Sequence, residues 1–212
     1  MSVSVKVCGI TREVDADFAL QCGASRLGFI LYEKSPRNIE LHEISNINKS
    51  LEIEPCCMVG VQVEPQIEEL KEIINFGFGS IQLHFSYDFP VDIIKEWSDM
   101  VGPDKLWLAP KLPTELGFPE SILPLAETFL IDAYSEDKFG GTGERSNWDG
   151  FYRWQREYNS KKWILAGGLS PNNIEFAVNT TDARHVDANS GVEKSPGVKD
   201  HTKITNFFTN IP

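Results

Sequence analysis

The sequence predicts an α/β fold, a closed (β/α)8 barrel of the TIM type, formed by a single domain that spans residues 1–212. Strand patterns and helix patterns alternate along the whole chain, which is typical of a parallel sheet. Eight such units of about 25 residues follow one another, and eight parallel strands fit a closed barrel better than an open sheet. Hydrophobic residues make up 41% of the chain, enough to bury a core of this size.

Composition and charge exclude several classes of partner. The formal net charge of -11 argues against nucleic acid, whose phosphates require a basic face. No apolar run approaches bilayer-spanning length, and the N-terminus lacks the basic and apolar regions of a signal peptide, so we expect no membrane partner and no export. The four cysteines have neither zinc-site nor C-x-x-C spacing and suit a reducing, cytoplasmic setting.

The first strand organises the candidate site. Over residues 3–8, valines alternate with Ser4, Lys6 and Cys8. Alternation with a period of two places the valines on one face and the other three side chains on the opposite face. If the valines pack against helices, Lys6 and Cys8 face the barrel interior. Cys8 then lies at the carboxyl end of its strand, where the active sites of α/β barrels are built.

The remaining elements are predicted in chain order. Thr11 is placed to cap a helix that begins near Glu13 and stops at Gly23, and Val14, Phe18 and Cys22 recur at helical spacing along it. Prolines between residues 110 and 119 predict a short or irregular helix there. Further strands are predicted at 26–31, 57–63, 80–83, 105–109, 128–131, 163–166 and 185–187. Further helices are predicted at 41–53, 65–77, 90–100, 148–158, from 170 onward, and at 199–208.

Polar and small residues collect at the carboxyl ends of these strands. The loops after the last two strands carry Gly167-Gly168 and Asn189-Ser190-Gly191. In this fold such loops often bind phosphate through backbone N–H groups, which glycine allows to approach an anion. The alternative is that the glycines only permit tight turns. We predict phosphate binding by Gly167, Gly168, Ser190 and Gly191.

Two side chains at this rim can transfer protons. Cys8 could act as a base or nucleophile near a cation, and Asp132, which shares its facing with Leu130, could act as an acid. The alternatives are a small apolar filler at Cys8 and an ordinary charged strand end at Asp132. The spacing alone does not decide between these hypotheses.

Barrel closure predicts one further contact. The last strand lies beside the first, so Lys6 and Asp187 should be near neighbours and should pair. The pair could be purely structural, or it could orient Cys8. His84 should also face inward, although a lone histidine there is more often a packed core residue. We assign Lys6, His84 and Asp187 to substrate binding, and no residues have metal-ligand spacing.

With these residues in place, the chain closely resembles the phosphoribosylanthranilate isomerases. The resemblance rests on ordered stretches from end to end, of which the first and last are the most specific. They are Lys6-Val7-Cys8-Gly9-Ile10-Thr11, Gly28-Phe29-Ile30, Ser35-Pro36-Arg37, Val59-Gly60-Val61, Gln82-Leu83-His84, Gly140-Gly141-Thr142-Gly143, Ala166-Gly167-Gly168-Leu169, Val186-Asp187, Ser190-Gly191-Val192-Glu193 and Pro196-Gly197.

The resemblance implies an Amadori rearrangement in tryptophan biosynthesis. It implies that Asp132 is the general acid on the ribose ring oxygen and that Cys8 is the general base at C2. It also implies that Arg37 binds the anthranilate carboxylate through its planar fork, which suits bidentate contacts. No metal or organic cofactor is implied. The expected partner is a phosphorylated small molecule, and the chain is expected to be a monomer or a homodimer.

Several positions depart from the family pattern. Phe85 stands where Gly is usual, Asn147 follows Ser146 where Phe-Asp is usual, Asn189 replaces a small residue, and His185 replaces a small or apolar one. We expect Phe85 at the rim and His185 facing the barrel. Both motivate an alternative function, a phosphosugar-binding barrel that acts as a binder or sensor with weakened turnover. A third hypothesis, a sugar-phosphate epimerase, lacks the metal ligands or paired carboxylates that such enzymes use.

Overall fold

The computed structural model describes residues 3–113, 116–132 and 148–212. Eight parallel strands close into a barrel in chain order, and the last strand pairs with the first. The predicted fold class is therefore confirmed. The barrel strands are β1 (Ser4–Cys8), β2 (Arg26–Ile30), β3 (Met58–Val63), β4 (Ser80–Ser86), β5 (Leu106–Lys111), β6 (Thr128–Ile131), β7 (Lys162–Leu165) and β8 (His185–Ala188).

Helices follow the strands and cover the outside of the barrel. Two of them have capping boxes and stop at residues in the left-handed conformation, Glu52 and Gly77. Short 3-10 helices lie at Pro55–Cys57, Glu120–Leu125 and Ser190–Val192. The α-helices are α1 (Glu13–Gln21), α2 (Leu41–Leu51), α3 (Ile67–Phe76), α4 (Val91–Val101), α5 (Trp148–Glu157), α6 (Ile174–Thr181) and α7 (His201–Thr209). No helix in the described ranges is long and apolar enough to cross a membrane.

The first strand has the predicted facing. Val5 and Val7 belong to the hydrophobic layer between barrel and helices, whereas Cys8 packs inside the barrel with Val59 and Leu130. Successive side chains of a strand point to opposite faces, so one strand supplies both layers. The alternation in the sequence therefore separates structural from site-facing residues.

The chain after β8 contains elements that the sequence analysis missed. Residues with no predicted element, together with Lys199, form a two-stranded hairpin, β9 (Glu193–Ser195) and β10 (Val198–Lys199), and α7 begins at His201, two residues after the predicted start at Lys199. These strands are too short for alternation to reveal them. The hairpin matters because it carries two buried charged residues beside the site.

Two local predictions around α1 were wrong. Thr11 does not cap the helix, because its hydroxyl donates to the carbonyl oxygen of Gly197 at 2.5 Å. Val14 is 58% exposed rather than part of an apolar face. Cys22, at the end of the helix, is partly buried and packs against the core, as its predicted place on the apolar face requires. The N-terminus of α1 is instead held by tertiary contacts with the segment that follows β9.

Candidate active site

A cavity at the carboxyl ends of the barrel strands brings the predicted site together. All of the predicted site residues except Lys6 line it. Sequence reasoning did not select four further polar lining residues, namely Tyr32, Ser35, Gln82 and Asn189. Within the described residues, no group of three or more His, Cys, Asp or Glu side chains is placed to hold a metal ion.

Cys8 and Lys6 lie side by side over Gly28. A Cβ atom on Gly28 would lie 2.7 Å from Cys8 Sγ and 3.0 Å from Lys6 Nζ, so only glycine leaves room for both side chains. Cys8 is 3% exposed, and burial raises the pKa of its thiol although Lys6 acts in the opposite direction. Cys8 is therefore a neutral thiol in the free protein, with a cation beside its sulfur.

Lys6 is held below the cavity by the predicted ion pair. Its Nζ donates to Asp187 Oδ1 at 2.9 Å, and both side chains are buried. Burial alone would lower the pKa of Lys6, but Asp187 and Cys8 outweigh that effect and raise it. Lys6 thus stays charged in the interior. It does not line the cavity itself, but it contacts Asp187 and Cys8, which do.

His84 lines the cavity from β4 and contacts Gln82. The Gln82 amide and His84 Nε2 are hydrogen-bonded at 2.7 Å. Burial, and then the charge of Lys6, lowers the pKa of His84 to about 3. His84 is therefore neutral at physiological pH and can offer a ligand a hydrogen bond but no charge.

The guanidinium of Arg37 is already partly occupied. Its Nε and Nη2 donate to the Glu193 carboxylate at 2.8–3.1 Å. Lys199 Nζ donates to the same carboxylate at 2.9 Å. Burial would raise the pKa of Glu193, but Arg37 and Lys199 outweigh it and lower the pKa. Sequence reasoning missed both partners, although Glu193 lies in a stretch that carries the family resemblance.

The two predicted phosphate loops meet at one side of the cavity. Gly167 and Gly168 have φ of 84° and 63°, a left-handed conformation that glycine adopts without strain. A Cβ on Gly191 would lie 2.0 Å from the carbonyl oxygen of Leu169, so the loops pack directly against each other. Gly191 therefore has a structural requirement of its own, and phosphate binding by these loops remains a prediction.

Two expected obstacles lie away from the cavity. Phe85 is buried in the helix-facing layer and packs against Phe89 and Trp97, because it points opposite to its neighbour His84. His185 begins β8 and pairs with Ser4, at the end of the barrel opposite the cavity. The expectation that Phe85 stands at the rim was wrong, and the inward-facing His185 is too deep to contact a ligand there. Asn147 lies outside the described residues.

The family model for N-(5'phosphoribosyl)anthranilate (PRA) isomerase matches residues 5–210. The chain belongs to this isomerase family. A phosphoribosylanthranilate isomerase from Aquifex aeolicus is 36% identical to it over 209 residues, 97% of each chain. The resemblance that the sequence motifs indicated is thus confirmed, from the first barrel strand to the last helix.

Solved structures of phosphoribosylanthranilate isomerases have the same fold. The enzyme from Thermus thermophilus has a TM-score of 0.78 and 29% identity, with 98% of both chains covered. Another was solved in complex with reduced 1-(o-carboxyphenylamino)-1-deoxyribulose 5-phosphate. That structure has a TM-score of 0.73 and 28% identity over 98% of this chain and 97% of its own.

Proposed function

We propose that the chain is a phosphoribosylanthranilate isomerase of tryptophan biosynthesis. It converts N-(5'-phosphoribosyl)anthranilate into 1-(2-carboxyphenylamino)-1-deoxyribulose 5-phosphate. The observation that carries the proposal is the shared cavity, in which Cys8 and Asp132 face the same space as both glycine-containing loops. The reduced form of this product, bound to a relative of the same fold, supports the choice of substrate.

Proton transfers by Asp132 and Cys8 describe the reaction. Asp132 gives a proton to the ribose ring oxygen, the C1–O bond breaks, and the nitrogen lone pair forms a C=N bond. Cys8, as the thiolate left once its thiol proton has passed to solvent, then takes the proton from C2. The electrons of that C–H bond form the C=C bond of an enolamine while the C=N electrons return to nitrogen. The enolamine becomes the ketone when C1 takes a proton from the Cys8 thiol and the hydroxyl on C2 gives its proton to Asp132. Asp132 follows β6 and Cys8 ends β1, strands that are not neighbours in the barrel, so acid and base approach different atoms.

The surroundings of Cys8 suit a base that forms only during the reaction. A buried thiol has a raised pKa and, once deprotonated, a strongly basic sulfur. The Lys6 ammonium beside it stabilises that thiolate, and Asp187 holds the ammonium in place. The reaction exchanges protons among substrate, protein and solvent and transfers no electrons to or from another molecule, so the proposal includes no cofactor.

Different residues bind the two ends of the substrate. Arg37 donates to the anthranilate carboxylate with the N–H groups that Glu193 leaves available. The loops with Gly167-Gly168 and Ser190-Gly191 bind the phosphate through backbone N–H groups. His84 contributes a neutral hydrogen bond near the reacting sugar.

The deciding experiment follows the fluorescence of freshly prepared phosphoribosylanthranilate, which is lost on rearrangement. Wild-type protein should accelerate the decay, and Cys8→Ala and Asp132→Asn should each abolish most of that acceleration while retaining wild-type circular dichroism. Decay at the spontaneous rate with wild-type protein would contradict the proposal.

The binder or sensor hypothesis has lost its support. It rested on Phe85 and His185, and neither contacts the cavity. Saturable phosphosugar binding without product formation would be the result that restores it.

A further inference from the structure

A cluster of four polar side chains connects the cavity to the hairpin after β8. Arg37 and Asn189 line the cavity, whereas Glu193 and Lys199 lie behind them and do not. Lys199 is 1% exposed and Glu193 is 5% exposed. We refer to these four residues as the Lys199 cluster. Charges are buried in proteins only when they are paired, so the partners of Lys199 and Glu193 show what these two residues do.

The ammonium of Lys199 is fully used by two residues. It donates to Glu193 Oε1 at 2.9 Å, to Asn189 Oδ1 at 3.1 Å and to the Asn189 carbonyl oxygen at 3.4 Å. An ammonium has three donors and no acceptor, so these contacts complete its hydrogen bonding. Lys199 is therefore placed to hold neighbouring side chains, not to bind a ligand itself.

Glu193 links Lys199 to Arg37, because its carboxylate accepts hydrogen bonds from both. The carboxylate accepts from Arg37 Nε and Nη2, which fixes the plane of the guanidinium from its Nε edge. Both N–H groups of Nη1 and the second N–H group of Nη2 are then the part of Arg37 that remains for a ligand. Lys199 restrains the carboxylate from the other side, so the orientation of Arg37 depends on it.

The contact with Asn189 sets the direction of an amide. Because the ammonium can only donate, it selects the amide oxygen, and Nδ2 is left as the donor. The side chain has little freedom, since a Cβ on Gly9 would lie 2.6 Å from Asn189 Oδ1 and 2.9 Å from Arg37 Cδ. Asn189 and Arg37 thus pack together over Gly9, each with an N–H group to offer to an anion.

We infer that Lys199 is a positioning residue for substrate binding, which orients Asn189 directly and Arg37 through Glu193. Asn189, which departs from the family pattern, becomes an additional donor to an oxyanion of the substrate. This inference rests on the proposed function and deepens it. It predicts an effect on binding of the substrate, not on the proton transfers at Cys8 and Asp132.

The choice of variant follows from the charges. Lys199→Met leaves Glu193 paired with Arg37, so no net charge is stranded in the interior. Removing Glu193 would leave two cations facing each other, which is more disruptive. Lys203→Met is a matched control, since Lys203 Nζ donates to the backbone carbonyl of Glu193 at 2.7 Å and does not touch its carboxylate.

The test compares kcat and KM of the isomerase reaction. We expect Lys199→Met to raise KM about tenfold or more with kcat within about threefold of wild type, the signature of lost ground-state binding. Asn189→Leu should raise KM in the same way, and Lys203→Met should match wild type. An unchanged KM in Lys199→Met, or a fall in kcat alone, would overturn the inference. If Lys199→Met does not fold, an unchanged KM in Asn189→Leu overturns it.

Binding of two small anions separates this inference from the proposed function. Dissociation constants of inorganic phosphate and of anthranilate are measured for the same proteins. If the wild type lacks isomerase activity, the proposed function fails, and weaker binding of either anion by Lys199→Met still supports the positioning role. Equal binding of both anions by wild type and variant, or no binding by the wild type, overturns it. The anion that is affected identifies the end of the substrate that Asn189 contacts.

Discussion

Lys6 Nζ donates to Asp187 Oδ1 at 2.9 Å and so joins the first and last strands of the barrel at the level of the site. This contact closes the barrel and also places a cation next to the sulfur of Cys8. The strand register pairs Lys6 with Asp187, so that Asp187 lines the cavity and Lys6 lies below it. One ion pair therefore links the first and last strands and also places a cation beside the proposed base Cys8.

Removing Lys6 should make the thiolate base of Cys8 harder to form. Without the neighbouring cation the pKa of Cys8 rises further, so Lys6→Met should lower kcat and shift the rising limb of the pH–rate profile to higher pH. Lys6→Met leaves Asp187 unpaired and should lose about 3–5 kcal/mol of unfolding free energy, which urea denaturation measures. Lys6→Met/Asp187→Asn should recover stability but not kcat. An unchanged pH profile in Lys6→Met would show that Lys6 does not influence the base.

A methyl group at Gly28 should displace both site residues above it. The added Cβ would lie 2.7 Å from Cys8 Sγ and 2.9 Å from Lys6 Cε, and both side chains can move aside. We expect Gly28→Ala to lower kcat by about tenfold or more with a modest loss of stability. Gly117→Ala is the control, because no atom lies within 4 Å of a Cβ placed there. Full activity in Gly28→Ala would mean that the position of Cys8 tolerates displacement.

His84 should not titrate in the physiological range. Its pKa is lowered to about 3 by burial and by Lys6, so its NMR signals should stay those of neutral imidazole down to about pH 4. In the unfolded chain its pKa is about 6.5, so the unfolded state takes up a proton first as the pH falls. Stability should therefore be complete above pH 6.5 and decline towards pH 3.

The acid-induced loss of stability provides the check on His84. His84→Gln should flatten the dependence of unfolding free energy on pH between about 6.5 and 3, as measured by urea denaturation. His42→Gln is the control, since that residue lies on α2 on the outside of the barrel. The same slope in wild type and His84→Gln would show that another group causes the decline.

Phe85 should matter for stability and not for the substrate. It packs against Phe89 and Trp97 between barrel and helices, and Phe85→Ala should cost about 3–5 kcal/mol of unfolding free energy. The KM of the folded variant should equal that of wild type, because the side chain is outside the cavity. Tyr87→Ala, at an exposed position nearby, should change neither quantity. A raised KM in Phe85→Ala alone would place Phe85 at the site after all.

The predictions that succeeded depend on local pattern. Alternation with a period of two assigned Lys6 and Cys8 to the interior, and the order of strands brought Asp187 to Lys6. The same rule, applied to His84, already places Phe85 on the outer face. A difference from the family pattern at position 85 does not show which way that side chain points, whereas the facing of its strand neighbour does.

Other features depend on where segments distant in the chain meet. Arg37 and Glu193 are separated by 156 residues, and no spacing in the sequence shows that one neutralises the other. Alternation predicts that His185 faces inward. Its place at the start of β8 puts it at the end of the barrel opposite the cavity. The loops after β7 and β8 contact each other, through Gly191 and Leu169, only when the barrel strands are in place.

The sequence by itself determined the eight strand–helix units, the facing of each strand and the set of side chains at one rim, because these follow from local alternation and strand direction. The tertiary structure decided the pairing of buried charges. A side chain's partner, its pKa and the N–H groups it leaves for a ligand depend on distances between segments that are remote in the chain. Cys8 could therefore be predicted as a candidate base from its strand, whereas the restraint of Arg37 and Asn189 by Lys199 could be found only in the folded molecule.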